Sequence, residues 1–135
     1  MTRYLVVICC FLMLSCKKEN INQSILGHWE WQETNYHSRG IHPYTLTPST
    51  TDTSMVIHVN PTTIEIFKNG SYFGEFTYST NTVVGERNVI SVDYNNASIG
   101  LGVEEGPFSI ENGKLSIAGG YNNAGGTQIF KRLKL

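Results

Sequence analysis

Beyond residue 16 this sequence has no cysteine, because Cys9, Cys10 and Cys16 account for all three. The remainder can form no disulfide, no thiolate metal site and no cysteine nucleophile, so its stability must come from packing. It also lacks a basic block: outside Lys17-Lys18 and the terminal Lys131, Arg132 and Lys134, positive charge is scattered, and the formal net charge is −1. Phosphate neutralisation supplies much of a nucleic-acid binder's affinity, so a nucleic-acid partner is excluded. No segment carries a helical apolar stripe of three turns, and no Gly-x-Ser-x-Gly precedes a helix to form a nucleophile elbow. The one long apolar run, Tyr4 to Leu14, spans only about 16 Å as a helix. That is too short for roughly 30 Å of bilayer hydrocarbon.

What is present at the N-terminus has the anatomy of an export signal. Arg3 supplies the positive start, the apolar run follows, and Met13-Leu14-Ser15-Cys16 resembles a lipobox. The resemblance implies that residues 1–15 are a cleaved lipoprotein signal peptide. Cys16 would then carry the lipid and residues 16–23 would be a polar tether. Several acyl chains anchor a protein stably where one does not. The implied partner is a membrane, held through the lipid on Cys16, and the implied location is the cell envelope, at the outer membrane.

From residue 24 to 135 the chain reads as one domain of short strands separated by Gly, Asn and Ser. Trp29 and Trp31 alternate with His28, Glu30 and Gln32. Met55, Ile57 and Val59 alternate with Val56 and His58, and Ile64 and Ile66 flank Glu65. Lys68-Asn69-Gly70-Ser71 and Glu111-Asn112-Gly113 are hairpin turns. Further strands are expected over 72–78, 88–93, 97–103, 107–110, 114–118 and 127–133. Such spacing indicates an antiparallel barrel or sandwich. The exception is the polar segment 35–51, with Pro43 and Pro48, which reads as a long loop placed where a barrel would carry a lid.

Several of these features are similar to the lipocalin-like lipoproteins of the Bacteroidetes. Leu26-Gly27-His28-Trp29 resembles the Gly-x-Trp signature of the first lipocalin strand. Phe67 to Tyr72 resembles that family's strand–Asn-Gly–aromatic hairpin, and Gln128 to Leu133 its last strand. The resemblance implies an all-β, up-and-down barrel of about eight strands. It also implies a structural signature in which Arg132 packs over Trp29 beside Gly27.

Chemistry is sparse. His37 and His42 share the long loop with Asp52 nearby, but the spacing matches no zinc pattern and no metal or other cofactor is assigned. Glu104-Glu105 reads as a solvated turn. Glu65 should fall opposite Gly74, close to Glu75, with both carboxylates in water. Gly119-Gly120 and Gly125-Gly126 precede a strand, not the helix a phosphate cradle needs. No catalytic residue is assigned, and a non-enzymatic protein is expected.

Aromatic side chains remain. Trp31, Tyr72, Phe76 and Tyr78 share core-facing parity with Trp29, whereas Tyr36, Tyr44 and Tyr121 fall in expected loops. These seven, without Trp29, are the candidate lining or mouth of a site for a small apolar or amphipathic ligand. The alternative is a solid-cored β module that contacts a protein or polysaccharide of the envelope through segment 35–51.

Overall fold

The computed structural model describes residues 25–37, 42–83, 87–93, 103–119 and 126–134. Among the described residues nine strands form: β1 (Gly27–Tyr36), β2 (Tyr44–Leu46), β3 (Met55–Val59), β4 (Thr63–Lys68), β5 (Ser71–Val83), β6 (Arg87–Val92), β7 (Gly106–Glu111), β8 (Lys114–Ala118) and β9 (Gly126–Arg132). One short helical turn, α1 (Pro48–Thr51), lies between β2 and β3. The sheet order is β2-β1-β3-β4-β5-β6-β7-β8-β9, and β9 returns to pair with β1. Eight strands thus close one antiparallel up-and-down barrel, with β2 an extra strand beside the second half of β1.

Alternation along the strands explains the core. Met55, Ile57 and Val59 of β3, Ile64 and Ile66 of β4, and Leu115 and Ile117 of β8 point inward and are buried. Val56, His58, Glu65 and Ser116 take the other face, as a two-residue side-chain period requires. Both Asn-Gly turns adopt positive φ at both central residues, 49° and 78° at Asn69-Gly70 and 52° and 73° at Asn112-Gly113. This is the backbone hand that joins twisted antiparallel strands in two residues.

Two bulges interrupt the alternation. In β1 the pairing with β9 shifts between Trp31 and Glu33, leaving Gln32 as the extra residue. Inward parity passes from Trp29 and Trp31 to Thr34, which is buried, and Tyr36. In β5 the pairing with β4 shifts between Ile66 and Phe67, leaving Phe73 as the extra residue. A bulge reverses the parity of everything beyond it. Glu65 consequently lies opposite Glu75 and not Gly74. Tyr72 does not share the inward face: it is 58% exposed and packs edge-on against Phe67, its cross-strand partner, at 5.7 Å.

Of segment 35–51, residues 38–41 lie outside the described residues, and most of the rest forms regular elements where the sequence reads as a loop. Asn35 and Tyr36 continue β1, and Tyr44 to Leu46 pair with Thr34 to Tyr36 as β2. Thr47 then caps α1, exchanging hydrogen bonds with Thr50 in both directions. A capping box of this kind satisfies backbone donors that a single helical turn leaves free. The strand expected over 72–78 extends to Val83. Val103, the end of the strand expected over 97–103, is a buried residue ahead of β7, and 97–102 lie outside the described residues.

Candidate functional site

The two ends of the barrel are finished differently. At the end where β1 begins, Ile25, Trp29, Val59 and Ile64 are all but inaccessible. The Trp29 indole Nε1 donates to the Ile25 carbonyl at 2.7 Å. The guanidinium of Arg132 lies over the Trp29 ring, 4.1 Å from its centroid, and Nη1 donates to the Leu26 carbonyl at 2.9 Å. Gly27, at φ +121°, gives that guanidinium its place, since a Cβ there would sit 3.3 Å from Nη1. Trp29, Arg132 and Gly27 together stopper this end.

The opposite end is open. A cavity of about 220 Å³ there is lined by Trp31, Thr34, Tyr36, Leu46, Thr51, Thr53, Met55, Lys68 and Gln128. The Gln32 bulge turns Thr34 and Tyr36 inward, and β2 and α1 bring Leu46 and Thr51 over the mouth. Tyr36, Leu46 and Thr51 of segment 35–51 therefore supply one wall of the cavity, in the place where a lid would sit.

The polar lining is partly self-satisfied. Trp31 Nε1 donates to Thr34 Oγ1 at 2.9 Å, which leaves the Thr34 hydroxyl proton to give. Thr51 and Thr53 donate their hydroxyls to the Thr47 and Thr51 carbonyls, so their oxygens still accept. Gln128 Oε1 accepts from the Glu104 amide at 2.9 Å. Glu105 Oε2 accepts from the Val92 amide at 3.0 Å. The Glu104-Glu105 pair is thus a structural brace and not a solvated turn. Burial raises the Glu104 carboxyl above its usual value. Tyr36 is raised as well, by burial first and then by the nearby Glu104 and Tyr44.

Of the seven candidate aromatics, Trp31 and Tyr36 line this cavity. Tyr44 stacks on Tyr36 with ring centroids 4.9 Å apart and is itself half-exposed. Tyr36 and Tyr44 belong to paired strands and not to loops. Phe76 is deep in the core opposite Ile64. Tyr78 packs against the core, and its hydroxyl donates to the Asn60 carbonyl at 2.8 Å, closing the β3–β4 turn. Tyr72 is on the outer surface, and Tyr121 and Cys16 lie outside the described residues, as do 1–23. Sequence reasoning missed Thr34, Leu46, Thr51, Thr53, Met55, Lys68 and Gln128. A strand alternation read without its bulge hides the first. Leu46 arrives by pairing with Thr34, Met55 and Lys68 by pairing with each other, and Gln128 by the closure of β9 on β1.

A second hollow, about 440 Å³, lies along β6 to β9 and is lined by Asn88, Pro107, Phe108, Ser109, Ser116, Ala118 and Thr127. It is larger, but it offers no titratable side chain and one ring. We regard the mouth as the better site because aromatic, apolar and hydrogen-bonding groups converge there, as small-molecule sites require.

The outer wall holds one further cluster. His28 and His58 face each other across β1 and β3 and stack at 3.9 Å, 13° from parallel. His58 Nδ1 lies 3.0 Å from Glu65 Oε2 on β4. Burial, and secondly His58, lower the pKa of His28, against a smaller opposing effect of Glu65. Among the described residues no three His, Asp or Glu side chains are placed to hold a metal ion, and no helix is long and apolar enough to cross a membrane. His37 and His42 are both exposed.

No protein-family profile, curated protein or solved structure matches the chain. Function must therefore be argued from the barrel and its open end.

Proposed function

We propose that the protein is a non-enzymatic binding protein of the cell envelope, whose barrel mouth holds a small apolar or amphipathic molecule. The observation that carries this reading is the cavity between Trp31, Tyr36, Leu46 and Met55, with hydroxyl and amide groups at its edges. Its volume sets the size class. An apolar cavity of about 150 Å³ holds benzene, and drug-sized ligands need about 300–1,000 Å³. About 220 Å³ fits a ring or a short chain, or one end of a longer molecule. Native mass spectrometry of the full-length chain purified from a membrane-containing lysate tests this. A retained small molecule, lost in a Leu46→Trp variant that fills the mouth, supports it; a bare mass unchanged after incubation with small amphiphiles refutes it.

The envelope placement rests on the lipobox-like Met13-Leu14-Ser15-Cys16, with Cys16 as the lipidated residue. A Cys16→Ser variant should fail to incorporate labelled palmitate and should leave the membrane fraction. Unchanged labelling would remove the anchor from the reading.

A second reading follows from the exposed rings. Tyr44, Tyr72 and Phe73 are each at least half exposed, and all three stand at the mouth end. They would suit contact with an envelope protein or polysaccharide. Replacing all three by Ala without loss of a co-purifying partner would dispose of it.

A further inference from the structure

The mouth carries one charge whose partner is not a carboxylate. Lys68 closes β4 beside Met55, its stem lines the cavity, and its Nζ rests 4.0 Å above the centre of the Phe73 ring. Phe73 is the extra residue of the β5 bulge, so the distortion that turns Tyr72 outward also places a ring beneath this ammonium. Among the described residues no carboxylate lies within ion-pairing distance of Lys68. Of the acidic groups near this end, Glu33 accepts from the Asn35 side-chain amide and Glu65 pairs with His58. Glu105 holds the Val92 amide, and Glu104 packs over Gly119 on the β8–β9 side. The Asp52 carbonyl accepts from the Asn69 side chain of the same hairpin. Lys114, Lys131, Arg132 and Lys134 belong to the opposite end of the barrel, where β8 starts and β9 finishes.

Lys68 is a half-buried residue whose ammonium rests on an aromatic face and has no carboxylate within ion-pairing distance among the described residues. An incoming anion would gain a charge-assisted hydrogen bond there. Below it the wall turns apolar, with Trp31, Leu46 and Met55. From this arrangement we infer that the mouth selects a singly anionic amphiphile, its apolar end in the cavity and its carboxylate at Lys68. The inference rests on the binding function proposed above and adds the sign of the ligand's charge.

Three probes of equal length separate the two claims: octanoate, octan-1-ol and octylammonium, whose chains suit a cavity slightly larger than one that holds benzene. Each is titrated calorimetrically into the full-length chain held in amphipol. The Leu46→Trp variant in the same carrier serves as the blank for partition. Octanoate should bind about tenfold more tightly than the alcohol, with the ammonium weakest. Lys68→Gln should abolish the preference for octanoate over the alcohol, and Lys68→Arg should keep it. Equal binding of octanoate and octanol, or a preference that survives Lys68→Gln, overturns the charge selection and leaves the cavity reading standing. No binding of any probe above the blank overturns both.

Discussion

At the stoppered end of the barrel, the large ring of Trp29 is completely buried and its only polar atom is satisfied by the Ile25 carbonyl. Arg132 covers its face. At the mouth, Trp31 is the corresponding ring one inward step along β1, and its indole also finds a partner, Thr34. The surroundings differ, however. Beyond Trp31 the lining mixes Leu46 and Met55 with threonines, a glutamine, a lysine and a half-covered tyrosine. One strand thus serves both purposes. Its first half stores stability, and its second half, past the Gln32 bulge, gives up packing for a space that another molecule can enter.

The largest expected effect tests the storing half. Trp29→Ala removes a fully buried ring and leaves Arg132 without its platform, so urea unfolding should show a loss of about 3–5 kcal/mol. Trp31→Ala, facing an existing cavity, should cost less than half as much. Equal losses would mean that the mouth is core in all but shape. A smaller effect is expected where β9 meets β1 at the mouth. Tyr36 lies opposite Gly126, and a Cβ at Gly126 would come within 2.7 Å of Thr34 Cγ2 and 3.0 Å of the Tyr36 ring. Gly126→Ala should therefore destabilise by about 1–3 kcal/mol, the usual range for overpacking. Thr34→Ser, which deletes the clashing methyl, should recover part of that loss in the double variant. Strict additivity of the two changes would show that Thr34 and residue 126 do not share the space.

Much of this architecture is legible in the residues. The alternation in β3, β4 and β8, the two Asn-Gly turns and the turn-separated spacing of the strands give a barrel or sandwich directly, because each signal is local. What is not legible is whatever depends on one residue too many. Gln32 and Phe73 look like ordinary strand residues, yet as bulges they decide that Thr34 faces the cavity and Tyr72 faces water. β2 hides within a segment rich in Pro, Ser and Thr, where its three residues have no periodicity to show. Its pairing exists only because the end of β1 offers a free edge. The polar cavity lining was missed for a related reason. Thr51, Thr53 and Lys68 share no motif and meet across the β3–β4 hairpin, and Gln128 joins them only through the β1–β9 closure.

The outer wall provides a contrast with the mouth in its response to pH. Burial and the neighbouring His58 lower the His28 pKa in the folded barrel, so the unfolded chain binds more protons in the window below the ordinary histidine value of 6.5. Stability on this account is complete above that value. It falls as the pH drops toward the folded pKa. His28→Gln should flatten this part of the profile, measured as the urea midpoint from pH 7 downward. An unchanged slope would assign the dependence elsewhere.

Glu104 should act in the opposite direction and with the smallest effect. Burial raises its carboxyl in the folded state, so its contribution is whole below the ordinary carboxylate value of 4.5. It is lost as the pH climbs through the raised one. At neutral pH the ionised side chain is therefore slightly unfavourable where it packs over Gly119, and Glu104→Gln should stabilise the barrel at pH 7 but not at pH 4. The same substitution removes one of the negative charges that raise Tyr36. The tyrosine should consequently ionise at lower pH in the variant, which ultraviolet titration of the phenol would detect. A gain in stability without that shift would place Glu104 in the brace alone. Both together would mean that the brace and the cavity form one electrostatic unit, a coupling that has no counterpart in the bond between Trp29 and Ile25.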